Sequence, residues 1–201
     1  GERAGYLATK LAQADNDPVI KLFAAIRRGP TDAREANIRE QLAKPEHFNT
    51  FNNDVKRQVL YDLGYYYQHY APATERSKAA SYWARLAQMF PKEFDYRFRY
   101  LQVATDYSPN EVAREAARLM LTFEPDRSYP DVWRRISIAA DKNEDADLAR
   151  KAVEYAKKTH AKFPPDFQYW SSLGDVLVRR DLIAEADAIW KYVVDSGANH
   201  C

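Results

Sequence analysis

Four alanines in this chain are each followed, twelve residues later, by a proline: Ala33 and Pro45, Ala79 and Pro91, Ala113 and Pro125, Ala152 and Pro164. The prolines lie 46, 34 and 39 residues apart, and Ala186 repeats the phase with Ala198 standing where a fifth proline would fall. A period of that size belongs to stacked helix hairpins rather than to a single bundle. The alanine lets the second helix of a hairpin approach the first closely. The proline ends that helix and opens the connection to the next hairpin.

Between these markers apolar residues recur three and four apart, the period of an amphipathic helix, and strand-like alternation is absent. The last stretch shows it best. Trp170, Leu173, Gly174 and Leu177 share one face, Arg179-Arg180-Asp181 breaks the pattern, and Ile183, Ala186, Trp190 and Val193 resume it. That is helix, tight turn, helix. With 46% hydrophobic and 29% charged residues among 201, the chain has the composition of a globular protein. It contains no uncharged apolar run near the roughly 18 residues a membrane helix needs. Thirty basic residues against 29 acidic leave a net charge of +1, too balanced to imply a polyanionic partner.

Trp170, Leu173, Gly174, Leu177, Ala186 and Trp190, with Pro164 closing the unit before, resemble a tetratricopeptide repeat. Leu60, Leu63, Gly64, Tyr67, Ala79, Trp83 and Pro91 match the same pattern with about three extra residues in the turn Ala71-Pro72-Ala73-Thr74. In the middle, Trp133 fits one register with Ala149 and Ala156 while Ala152 and Pro164 fit another, and the stretch from Phe94 to Ala104 lacks the Leu-Gly pair. The resemblance covers residues 54–201 as about four hairpins. It implies an all-α fold, a right-handed α-solenoid of stacked antiparallel helix hairpins.

Residues 1–53 read as an irregular N-terminal helical segment, a degenerate repeat in this scheme. Asp17 is a good N-cap with Pro18 behind it, and Val19, Leu22, Phe23 and Ile26 form a stripe. Gly29-Pro30-Thr31 reads as a turn whose threonine caps a helix running through Leu42. The segment from Glu46 to Asn53 reads as a loop. The first residue is Gly1, and the lone cysteine, Cys201, reads as a solvated thiol that can form no intrachain disulfide. The missing Met and lone Cys incline the expectation toward a processed protein of the bacterial periplasm or cell envelope over the cytoplasm.

The residues offer little chemistry. His47, His69, His160 and His200 show no metal-ligand spacing, and no HExxH, GxSxG or glycine-rich phosphate loop is present. No cofactor is implied. Asp141, Asn143, Asp145 and Asp147 alternate as in a calcium loop, but Ala146 replaces the required glycine and Ala152 the bidentate glutamate. The segment reads instead as a polar turn in which Asp145 or Asp147 caps the second helix. Tyr67, Trp83, Trp170 and Trp190 read as core wedges between helices. The recurring Arg97, Arg99, Arg134, Arg135, Arg179 and Arg180 read as solvated helix ends. Ala113-Arg114 and Ala149-Arg150 are also similar to steps of the half-a-tetratricopeptide family of RNA-processing assemblies, but the near-zero net charge argues against direct nucleic-acid binding.

The tetratricopeptide resemblance further implies that one row of each first helix lines a concave groove. Carried over by residue, that row is Gln58, Tyr61, Tyr65, Gln68 and His69, then Arg134 and Lys142, then Gln168, Ser171, Asp175 and Arg179. Aromatic, amide and basic groups of this kind suit an extended peptide or its carboxylates. The expectation is a non-enzymatic scaffold or adaptor that holds another protein in its groove. The alternative is an accessory subunit of a larger complex, docked through its convex face or N-terminal segment.

Overall fold

The computed structural model describes residues 32–123, 130–160 and 167–195. Every regular element among the described residues is helical: ten α-helices and one 3-10 turn, with no strand. No helix among them is long and apolar enough to cross a membrane. The Asp17 helix start, the Gly29-Pro30-Thr31 turn, Pro125, Pro164 and the tail with Cys201 lie outside the described residues. The chain divides into two compact units, Gly1–Pro91 and Lys92–Cys201.

In the first unit, α1 (Ala33–Leu42) opens on Asp32, whose carboxylate accepts from the Glu35 amide at 2.8 Å. Asp32 thus fills the capping role expected of Thr31, and an anion at a helix N-terminus is also favoured by the helix dipole. The segment from Glu46 to Asn53, expected as a loop, instead begins inside a helical turn, α2 (Pro45–Phe48). Pro45 presets its first dihedral, Glu46 suits its N-terminus, and the buried Phe48 anchors it. Asn52 then caps α3 (Asn53–His69), accepting from the Val55 amide at 3.0 Å. The 3-10 turn Ala73–Glu75 absorbs the extra residues seen in the sequence, and α4 (Lys78–Met89) packs back on α3.

Two contacts fix this unit. Trp83 is fully buried against Gly64, where an added Cβ would sit 2.7 Å from the indole. Only glycine admits the ring at that distance. Across α1 and α3, Arg39 Nε donates to Asp62 at 2.7 Å, with both side chains buried. Ala79 is fully buried at the start of α4, whereas Ala33 is exposed, so Ala33 and Pro45 do not repeat the packing role of the later alanines.

The second unit contains α5 (Phe94–Tyr107), α6 (Asn110–Leu121), α7 (Pro130–Lys142), α8 (Ala146–His160), α9 (Phe167–Arg179) and α10 (Ile183–Asp195). Each odd-numbered helix packs on the helix that follows it, and α5, α7 and α9 pack in succession. In addition α6 touches α7 and α8, and α8 touches α9. Ala113, Ala152 and Ala186 are buried in α6, α8 and α10, each a helix that packs on the one before it. Trp133 and Trp170 are buried with them. Trp190, expected as a core wedge, is only partly buried, although it does cover Gly174.

The turns after α7 and α9 share one geometry. Glu144 and Asp181 take left-handed φ values of 50° and 57°. The next amides, Asp145 and Leu182, donate back to the carbonyls of Ala140 and Leu177 at 3.0 and 2.9 Å, closing the helix ends. Asp145 then caps α8, accepting from the Leu148 amide at 2.8 Å, the role expected of an acid in this turn.

Arg97 and Arg135 are buried rather than solvated. Arg97 donates to the Leu119 carbonyl and the Thr122 hydroxyl at the end of α6. Arg135 reaches Asp131 at 2.7 Å and Asp106 and Thr105 at 2.8 Å, tying α7 to α5. A guanidinium can be buried in this way because its planar fork of donors is met from several directions.

Candidate functional site

The helical period sets Arg134, Ser137, Ile138 and Asp141 on one face of α7, and Ser172, Asp175, Val176 and Arg179 on the facing side of α9. Between them lies a cleft of about 170 Å3. Arg179 forks onto Asp141 across it, Nε at 3.0 Å and Nη2 at 2.9 Å, and Arg180 adds a third bond at 3.0 Å. The Arg179 hydrogen bonds hold the Asp141 carboxyl below its ordinary range; burial opposes them and Arg180 reinforces them. Asp141 in turn raises Arg179 above its ordinary value. Arg134 is exposed at the cleft rim and engages Asp131 at 2.8 Å, one turn back on its own helix. Asp175 is exposed and forms no ion pair among the described residues.

Three of the sequence-derived groove residues, Arg134, Asp175 and Arg179, therefore meet in one cleft. Lys142 does not join them: its Nζ donates to the Thr105 carbonyl at the end of α5, 2.6 Å away. Gln168 lies in α9, but its side chain is outside the described residues. The residues that sequence reasoning passed over are Ser137, Ile138, Asp141, Ser172 and Val176. For Ser137, Ile138, Ser172 and Val176 the signal was available, since each stands three or four positions from a residue already chosen; Asp141 stands two helical turns from Arg134.

The remaining candidates stand on α3 in the first unit. Tyr61, Tyr65 and His69 follow at intervals of four and form a ladder along the helix. The Tyr61 and Tyr65 rings stack with centroids 6.2 Å apart, and Tyr65 meets His69 at 4.5 Å and Tyr70 at 6.0 Å. Tyr61 also sets its edge on Trp83 at 5.3 Å. The two amides have interior partners. Gln58 donates to the buried Asp62 at 2.7 Å, and Gln68 accepts from the Trp83 indole at 3.1 Å. Both amides support the core pairs described above, while Tyr61 and Tyr65 are partly buried and His69 and Tyr70 are exposed.

No family model, curated protein or solved structure matches this chain. Its sites are therefore read from their own chemistry. A second, larger hollow of about 490 Å3 lies on α6 and α8, lined by Arg118, Leu121, Thr122, Lys151, Glu154 and Tyr155. There the Tyr155 hydroxyl donates to the Phe123 carbonyl, and Lys151 is held by Asp147 at 2.6 Å. Volume favours this hollow over the α7–α9 cleft. Convergent chemistry favours the cleft, where both signs of charge and two hydroxyls come together from two helices.

Proposed function

We propose that the chain is a non-enzymatic interaction module of stacked tetratricopeptide-like hairpins, a solenoid that holds an extended segment of another protein. The observation that carries this reading is the α7–α9 cleft, where Arg134, Asp175 and Arg179 border a narrow channel between two successive first helices. The serial packing of α5, α7 and α9, each backed by its own second helix, supports the solenoid. An extended peptide laid along such a face meets alternating hydroxyl, carboxylate and guanidinium groups, which fix its register through hydrogen bonds.

The test is selection of a displayed random-peptide library on the full chain. Enriched peptides are expected to bind the Asp175→Arg variant about tenfold more weakly, the loss of a central contact, at an unchanged melting temperature. Equal binding by that variant would sink the cleft reading. The α6–α8 hollow favours a second reading, an accessory subunit docked through its second helices. Loss of binding on Tyr155→Ala, with Asp175→Arg unaffected, would select it.

A further inference from the structure

Where α3 begins and α4 ends, three cations gather around two rings. Arg85 Cζ lies 4.4 Å from the Phe48 ring centroid, and Lys56 Nζ lies 5.7 Å from the same centroid. Arg57 Cζ lies 4.1 Å from the Phe90 ring. All three side chains are partly buried, and Phe48 is only 7% exposed. Phe48 belongs to α2, whose helical turn fixes its position beneath the two cations.

Among the described residues none of the three cations has a counter-ion. The ion pairs of the first unit, among the described residues, are Arg39–Asp62 and Lys78–Glu75. Glu46 and Asp54, on α2 and the first turn of α3, are exposed and form no ion pair with them. Arg57 Nε is buried without a hydrogen-bond partner among the described residues. Burial also pushes the Arg85 guanidinium below its ordinary value, with only Tyr82 opposing. Elsewhere in the chain Arg39, Arg135 and Arg180 each meet a carboxylate. A ring face attracts a guanidinium but leaves most of its N–H donors unfilled. Desolvated donors without an acceptor cost free energy that an incoming carboxylate would recover.

We propose that this end of the first unit docks an acidic segment of another protein chain, whose carboxylates fork onto Arg57 and Arg85 and reach Lys56. Charge complementarity selects that occupant, because three cations with no counter-ion among the described residues stand on neighbouring stretches of α3 and α4 in a chain whose net charge is only +1. A nucleic-acid backbone draws its affinity from many phosphate contacts and a broad positive field, and three cations at one hairpin end supply neither. Separately spaced carboxylates on a flexible peptide match three fixed cations individually. This surface belongs to the first unit and the α7–α9 cleft to the second, and the proposed docking does not rest on that cleft.

The probe is a fluorescein-labelled twelve-residue peptide of alternating Glu and Ser, read by fluorescence polarisation on the full chain, with its Gln-for-Glu counterpart beside it. The Glu peptide is expected to bind and the Gln peptide not. Arg57→Gln and Arg85→Gln should each weaken binding about tenfold, as loss of a charge-assisted pair does. Lys191→Gln, which removes the same charge from exposed α10, should not. If Arg85→Gln fails to fold, Phe48→Leu and Lys56→Gln carry the comparison, with both expected to weaken the Glu peptide. Equal binding by wild type and the cluster variants overturns the proposal. Stronger binding of a twelve-nucleotide single strand overturns it in favour of nucleic acid. Self-association of the wild type that Arg85→Gln abolishes overturns it in favour of a second copy of this chain.

Discussion

Gly64 and Gly174 stand at equivalent places in their hairpins, yet their surroundings differ in one respect. A methyl group on either would lie 2.7 Å from an indole, that of Trp83 or of Trp190. Trp83 is fully buried, and its ring nitrogen is held by Gln68, so it has nowhere to go. Trp190 is only partly buried and has more room to swing aside. Gly64→Ala is therefore expected to destabilise by about 1–3 kcal/mol through overpacking, even after the better helix propensity of alanine is counted. Gly174→Ala should cost distinctly less. Urea midpoints of the two variants check the order, and equal losses would mean that Trp190 is as confined as Trp83. The Leu-Gly pairs were visible in the sequence. The difference between the two tryptophans was not, because exposure at the last hairpin depends on what covers it.

Pairs of helices are joined by ion pairs of two kinds. Arg39 and Asp62 are both buried between α1 and α3, with Gln58 holding the second carboxylate oxygen. Arg39→Met leaves Asp62 uncompensated and is expected to cost about 3–5 kcal/mol. Replacing both by apolar residues, as in Arg39→Met with Asp62→Leu, should restore much of that loss. A double-mutant cycle of unfolding free energies measures the recovery. The α7–α9 clamp is more exposed, with Arg179 half in solvent and Asp141 one-third exposed. Arg179 lowers the Asp141 carboxyl in the folded chain, so the clamp stabilises fully above the ordinary carboxylate pKa and is lost as pH falls through the depressed value. Solvent screening limits its worth to about 0.5–1 kcal/mol. Asp141→Asn should lose that amount at pH 7 and show a shallower fall in stability below about pH 4. A melting series from pH 7 to pH 3 reads both effects. Residues chosen from the sequence as groove cations, Lys142 and Arg179, thus make inter-helix bonds in the structure. Their spacing put them on the correct helices but said nothing of the carbonyl and carboxylate that meet them.

For the molecule as a whole, the division at Pro91 and Lys92 has a measurable consequence. Compact units with their own buried contacts open as cooperative blocks in hydrogen exchange. Loss of the Arg39–Asp62 pair should accelerate exchange chiefly within residues 32–91, whereas Asp141→Asn should act within 92–195. Acceleration spread evenly over both units in either variant would show that they unfold as one block. The candidate surfaces divide in the same way, with the aromatic ladder and the ring-facing cations on the first unit and the narrow cleft on the second.

The sequence by itself determined the all-helical class, the buried alanines of the later hairpins, the burial of Trp83 and Trp170 and the acidic cap of α8. These follow from local periodicity, capping and steric size, which act over a few residues. Only the tertiary structure decided that Arg97 and Arg135 go inside, that Ala33 stays outside, and that Gln58 and Gln68 serve the core. It alone put Lys56, Arg57 and Arg85 on aromatic rings with no carboxylate partner among the described residues. Each of these depends on which polar partner a neighbouring helix presents. Packing makes that choice between residues far apart in sequence, and the spacing of apolar residues does not encode it.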